Sequence, residues 1–164
     1  GNAAAGGGAG MWGATGITRL FENEIGGQIT WLLPAALVLV LVGYWAFRRL
    51  PRVSVQRAAL TVFAGWMLTT GLAFSFMAGI FHAYYTVALA PAIAGVVAIG
   101  AGALWAMRSH IVWRVVSAVL VLGTAVWAWV LLDRASDWMP ALKVIVLILA
   151  IAAAGLLLLP PRQN

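Results

Sequence analysis

The 164-residue chain is 64% hydrophobic and 9% charged, which excludes an ordinary soluble domain, where about 25% of residues are charged. Its net charge of +6 does not indicate nucleic-acid binding, because the arginines lie in short turns between apolar runs. There is no cysteine, so neither a disulfide nor a thiolate metal site is possible, and no other cluster has metal-ligand spacing. The composition predicts a membrane protein without a cofactor.

The first 28 residues differ from the rest of the chain. Residues 1–16 are almost all Gly and Ala and predict a flexible outer segment. Residues 17–28 predict a short interfacial segment, a helix ended by Gly26-Gly27, with an extended tether as the alternative. Its side chains divide into a membrane-facing set of Leu20, Phe21 and Ile25 and a water-facing set of Arg19, Glu22 and Glu24.

Five apolar runs follow, each close to the roughly 20 residues that a helix needs to cross the hydrocarbon core. They cover residues 29–47, 58–80, 86–107, 111–132 and 141–159. The sequence therefore predicts an all-α fold, a polytopic membrane bundle of about five transmembrane helices over 29–160. Residues 161–164 would form a short cytoplasmic tail.

The basic residues predict the orientation of this bundle. Seven arginines fall on one side of it, while three basic residues and all four acids fall on the other. Basic residues favour the cytoplasmic side, so the side with seven is predicted to be cytoplasmic. The N-terminus and the loops at 81–86 and 133–140 would then be extracytoplasmic, and the C-terminus cytoplasmic, in a multi-pass protein of the cell membrane.

Two features inside the runs bear on packing. Small residues recur at every fourth position in the third run, at Ala90, Ala94, Ala98 and Gly102, and predict a face on which another helix packs closely. Pro34 and Pro91 lie near predicted outer helix ends. They either distort the helices and open an outward cavity, or are simply tolerated in the first turn.

The segment FHAYYTVALAP at 81–91 carries the candidate site. It places His82, Tyr84 and Tyr85 at the seam between two uncharged runs, where lipid headgroups would meet the protein. Titratable side chains at such a position are costly unless they are used. The alternatives are a hydrogen-bonded interfacial histidine without a ligand and an ordinary belt of interfacial tyrosines.

Several segments together resemble one family. They are RLF at 19–21, GGQ at 26–28, WLLPAA at 31–36, the motif around 82–92 and DWMP at 137–140. They resemble bacterial glycosyltransferase family 39, the ArnT-like enzymes related to protein O-mannosyltransferases in the GT-C superfamily, and most closely the actinobacterial YkcA/YkcB-related type. The resemblance covers most of residues 17–140 and departs at Ala83, where the family has proline.

The resemblance implies a membrane enzyme that moves a sugar, a mannose-like hexose or an aminosugar, from a polyprenyl-phosphate donor to an acceptor on the extracytoplasmic face. The family's catalytic aspartate lies in an outer loop with no counterpart here. The chain is therefore expected to be the C-terminal membrane portion of a longer enzyme, with no catalytic residue and no activity of its own. The alternatives are a non-catalytic membrane subunit and a transporter or flippase fragment.

The resemblance also assigns roles to particular residues. His82, Tyr84 and Tyr85 would bind the donor phosphate and lipid, because imidazole and phenol groups donate hydrogen bonds at the membrane boundary. Gln28, Trp31 and Glu24 would form the wall of the cavity opposite them. The expected partners are the lipid bilayer, the polyprenyl-phosphate-linked sugar and the rest of the parent enzyme, with no nucleic acid.

Overall fold

The computed structural model describes residues 14–78 and 82–161, apart from the side chain of Glu24. All regular secondary structure in these ranges is helical, which confirms the predicted all-α class. The α-helices are α1 (Asn23–Ile29), α2 (Leu33–Ala46), α3 (Val55–Phe76), α4 (Ala90–Ala106), α5 (Ile111–Asp133) and α6 (Pro140–Leu158), and two 3₁₀ helices span Arg19–Phe21 and Ala83–Leu89. Most of the predicted outer segment 1–16 and of the tail 161–164 lies outside the described residues.

Among the described residues, four helical stretches are long and apolar enough to cross a membrane, which is consistent with the predicted polytopic membrane bundle. They are Val55–Phe76, Ala83–Ala106, Ile111–Asp133 and Pro140–Leu158. The first predicted run, 29–47, is instead interrupted, because α1 ends at Ile29 and the next helix, α2, contains only 14 residues. The bundle thus has four full-length apolar helices and a shorter fifth, where five similar ones were predicted.

The glycines in α1 do not end that helix, contrary to the prediction. A Cβ atom at Gly26 would lie 2.6 Å from the Arg134 guanidinium and 3.0 Å from the Phe21 carbonyl oxygen. Position 26 is therefore too crowded for a side chain, which explains why a glycine occupies it. Pro34 and Pro91 both lie in the first turn of their helices, where a missing amide hydrogen costs nothing, so the first-turn alternative is the one observed.

The helices place two different sets of groups at the two ends of the bundle. At the end that we call the arginine end, the ring of Trp45 near the end of α2 packs 4.5 Å from Trp113 at the start of α5. Arg114 Nη1 donates to the Leu158 carbonyl at 2.9 Å, which adds the C-terminus of α6 to this end. The arginines between α2 and α3 and between α4 and α5 lie here.

The opposite end, which we call the loop end, gathers the segments before α2, the 3₁₀ helix Ala83–Leu89 and the turn between α5 and α6. Arg19 Nη1 donates to the Met77 carbonyl at 2.8 Å, and Arg134 Nη2 donates to the Phe21 carbonyl at 2.9 Å. The segments that the charge pattern grouped on one side therefore do lie at one end of the bundle.

The predicted small-residue face of α4 points away from the bundle. Ala90, Ala94, Ala98 and Gly102 are all exposed. The buried face of α4 carries Ala92, Ile93, Val96, Gly100, Ala103 and Leu104, and it packs on α2 and α3. Nearly every residue of α4 is small or apolar, so its sequence does not distinguish the face that meets protein from the face that meets lipid.

We expect Gly100→Ala to destabilise the bundle. A Cβ atom at this position would lie 2.6 Å from Leu39 Cβ, and the backbone of α2 would have to move away. Such overpacking costs roughly 1–3 kcal/mol of unfolding free energy. Unfolding of the detergent-solubilised protein by a denaturing surfactant measures the difference.

The matched control for this substitution is Gly102→Ala in the same helix. A Cβ atom there meets nothing within 4 Å, so this change should leave stability unaltered or raise it by up to about 1 kcal/mol through helix propensity. Equal destabilisation by both substitutions would show that α2 and α4 do not approach each other closely.

Candidate functional site

The candidate site begins with the 3₁₀ helix Ala83–Leu89. A 3₁₀ helix has three residues per turn, so positions three apart share a face. Ala83, Thr86 and Leu89 follow this spacing, and all three are buried. The same period turns Tyr84 and Tyr85 outward, and both side chains are exposed. The helix type thus explains why the two tyrosines are presented on the surface of the loop end.

His82, Tyr84 and Tyr85 form one aromatic cluster. The His82 ring stacks on Tyr84 at a centroid distance of 5.3 Å and meets Tyr85 edge-on at 5.6 Å. The two tyrosine rings are 4.7 Å apart and nearly perpendicular. The structure therefore brings together all three residues predicted to bind the donor phosphate, with one imidazole and two phenols in mutual contact.

The cluster rests on a well-packed support. The helix α1 packs against the 3₁₀ helix that carries the tyrosines, and Ile25 and Leu89 are completely buried in the core. The Thr86 hydroxyl donates to the Ala83 carbonyl at 2.7 Å, which satisfies this buried polar group locally. The buried apolar contacts of Ile25 and Leu89 hold the backbone in place beneath the exposed rings.

Arg19 is buried, although the sequence pattern predicted that it would face water. Its side chain is 3% exposed, and Nη1 donates to the carbonyls of Phe74 at 3.3 Å and Met77 at 2.8 Å. The Gly16 amide donates to the Ser75 carbonyl at 2.8 Å. The last carbonyls of a helix lack intrahelical donors. Arg19 is buried because its guanidinium group supplies donors to such carbonyls at the end of α3.

Trp31 lies at a cavity of about 530 Å³ formed by α1, α5 and α6. The cavity is lined by Asn23, Gly27, Trp31, Leu131, Leu132, Arg134, Ala135, Trp138, Leu142 and Val146. The His82 cluster is not part of this lining. Gln28 is exposed on α1, and Glu24 lies in the same helix with its side chain outside the described part of the structure. A cavity shared by these three residues and the His82 cluster stays a prediction.

Sequence reasoning did not identify Asn23 and Arg134 as members of a site. Arg134 Nη1 donates to the Glu22 carbonyl at 3.1 Å, and its guanidinium carbon lies 5.7 Å from the Trp127 ring centroid. Trp127 Nε1 in turn donates to the Thr30 carbonyl at 2.9 Å. These bonds join segments about 100 residues apart in the sequence, so no local sequence pattern predicts them.

Two curated relatives are similar to part of the chain. "Putative mannosyltransferase YycA" of Bacillus subtilis (strain 168) is 38% identical over 89 residues, which cover 54% of this chain and 13% of that protein. "Putative mannosyltransferase YkcB" of the same organism is 37% identical over 110 residues, which cover 63% of this chain and 14% of that protein. The matched regions thus span about one seventh of each relative. No protein-family model and no solved structure matches the chain.

We expect Arg19→Met to destabilise the protein although it adds an apolar side chain. The substitution leaves the Phe74 and Met77 carbonyls without their guanidinium donor, and losing hydrogen bonds to a charged group costs roughly 1.5–3 kcal/mol. Surfactant-induced unfolding provides the measurement. Arg52→Met, at an exposed arginine of the arginine end, removes the same charge and should have little effect; a similar loss in both variants would contradict the role assigned to Arg19.

Proposed function

We propose that this chain is the membrane portion of a glycosyltransferase that moves a sugar from a polyprenyl-phosphate donor to an acceptor. The observation that carries the proposal is the similarity to two proteins named as mannosyltransferases, at 38% and 37% identity. A mannose-like hexose or an aminosugar is the proposed sugar. The resemblance to glycosyltransferase family 39 and the GT-C superfamily supports the same chemistry.

We further propose that the His82 cluster binds the donor phosphate. When a sugar leaves a lipid phosphate, negative charge develops on the phosphate oxygens, and hydrogen-bond donors held in place stabilise that charge. The imidazole and the two phenols are such donors. Their rings contact one another at centroid distances of 4.7 to 5.6 Å, so a single phosphate group can reach donors from more than one of them.

The cavity beside Trp31 is the second candidate position for the donor. Arg134 supplies a positive charge there, and Trp31 and Trp138 supply flat rings on which a sugar can stack. Leu142 and Val146 continue the wall along α6, so a prenyl chain could follow the helix into the bilayer. The two positions make different predictions for substitutions, which allows kinetics to separate them.

If the His82 cluster holds the donor phosphate, His82→Ala and Tyr85→Phe should each slow sugar transfer. Each removes one hydrogen-bond donor, and a charge-assisted hydrogen bond made in the transition state is worth roughly 1.5–3 kcal/mol, or about one to two decades in rate. Steady-state kinetics with polyprenyl-phosphate sugar, in the full-length protein at matched expression, measures the effect.

Trp138→Ala serves as the comparison in the same assay. It removes an exposed ring from the cavity beside Trp31 and leaves the His82 cluster intact. If the cluster holds the donor, donor affinity should therefore stay near wild type. Wild-type rates in both cluster variants, together with weakened donor binding in Trp138→Ala, would move the donor to the cavity beside Trp31. Unchanged kinetics in all three variants would reject both positions.

We infer that the loop end is extracytoplasmic, so that transfer takes place on the outer face. Six of the described arginines lie at the arginine end: Arg48, Arg49, Arg52, Arg57, Arg108 and Arg114. The loop end carries three basic residues and the four acids. Positively charged segments are retained on the cytoplasmic side, which supports this orientation.

Cysteine labelling of this chain tests the orientation directly, because its 164 residues contain no cysteine. Ser136 at the loop end and Ser109 at the arginine end are both exposed, so each can be replaced by cysteine in turn. In intact cells, a membrane-impermeant thiol reagent should label Ser136→Cys and leave Ser109→Cys unlabelled until the membrane is opened. The reverse pattern would invert the proposed topology.

A further inference from the structure

Another cavity, with an apolar wall and two arginines, lies at the arginine end, away from the candidate donor site. It has a volume of about 430 Å³ and is formed by the ends of α4, α5 and α6. Most of its wall is apolar, contributed by residues such as Leu104, Leu156 and Leu159, while Arg108 and Arg114 supply two positive charges. None of the described residues that line the cavity is acidic, so neither charge has a carboxylate partner in this lining.

Arg114 holds its guanidinium group inside this cavity. Nη1 donates to the Leu158 carbonyl at 2.9 Å, which fixes the side chain against the end of α6. Its Nε atom is buried and has no acceptor within residues 14–78 and 82–161. A buried donor without an acceptor is costly. A ligand oxygen cannot reach this enclosed Nε atom, so the Arg114 donors available to a ligand in the cavity are the terminal N–H groups that the Leu158 carbonyl does not accept.

Arg108 is held at the rim of the same cavity. Its Nη1 donates to the Trp105 carbonyl at 2.9 Å, and its guanidinium carbon lies 4.4 Å from the centroid of the Trp105 ring. These contacts use one of the five N–H donors of the side chain and one face of its plane. The Arg108 guanidinium is thus held in position while most of its N–H donors remain available to a ligand.

We propose that this cavity binds the phosphate headgroup of an anionic phospholipid, such as phosphatidylglycerol. Planar guanidinium groups match the oxygen spacing of a phosphate, and basic pockets between transmembrane helices are suited to anionic headgroups. The apolar walls distinguish a lipid from a free phosphate ion, because Leu156 and Leu159 are exposed beside the arginines and can contact an acyl chain. The site does not depend on sugar transfer.

Thermal unfolding of the full-length protein in detergent tests this site. Short-chain phosphatidylglycerol, short-chain phosphatidylcholine and inorganic phosphate are titrated separately, and the midpoint temperature is recorded. Phosphatidylglycerol should raise it saturably, whereas the other two should not. Arg108→Gln and Arg114→Gln should each weaken the apparent affinity about tenfold or more, as expected for the loss of a charge-assisted hydrogen bond.

Arg49→Gln is the matched control, because Arg49 is an exposed arginine at the same end of the bundle and does not line the cavity. It should leave the response to phosphatidylglycerol unchanged. If Arg114→Gln fails to fold, since it also loses the bond to Leu158, Arg108→Gln decides the question alone. Equal weakening by Arg49→Gln, no weakening by Arg108→Gln, or full protection by inorganic phosphate would each overturn the proposal.

Discussion

The carbonyl groups at the ends of the helices are the constraint on which this structure depends. In a bilayer, a backbone oxygen without a donor costs several kcal/mol, and every helix ends with carbonyls that its own amides cannot reach. Here guanidinium groups supply the missing donors. Arg19 serves the end of α3, Arg114 serves the end of α6, and Arg134 serves the segment before α1. Arginines therefore have a structural role at both ends of the bundle, Arg114 at the arginine end and Arg19 and Arg134 at the loop end.

This use of arginine determines how the loop end is built. Arg19 and Arg134 attach the N-terminal segment to α3 and to the end of α5, and α1 is thereby laid against the 3₁₀ helix that carries Tyr84 and Tyr85. The exposed aromatic cluster and the cavity beside Trp31 both depend on that placement. Arg19 is a structural anchor only, whereas Arg134 is both a structural anchor and part of the cavity wall.

The sequence predicted those features that depend on local composition. The long apolar helices were located to within a few residues, because continuous hydrophobicity over a membrane thickness is a local property. The grouping of His82, Tyr84 and Tyr85 also followed from their positions within one turn. The burial of Arg19, the crowding of Gly26 against Arg134 and the exposure of the Ala94 face of α4 were not predicted, because each depends on which distant element packs nearby.

The shortness of α2 has a consequence for the surrounding lipid. Its 14 residues span only roughly 21 Å at about 1.5 Å per residue, against a hydrocarbon core about 30 Å thick. Either the bilayer thins around α2, or the Thr30–Leu32 break lies at hydrocarbon depth, where the Trp127 bond to the Thr30 carbonyl replaces the water that is absent there. If the bilayer thins around α2, hydrophobic mismatch makes the depth of the loop end in the membrane depend on acyl-chain length.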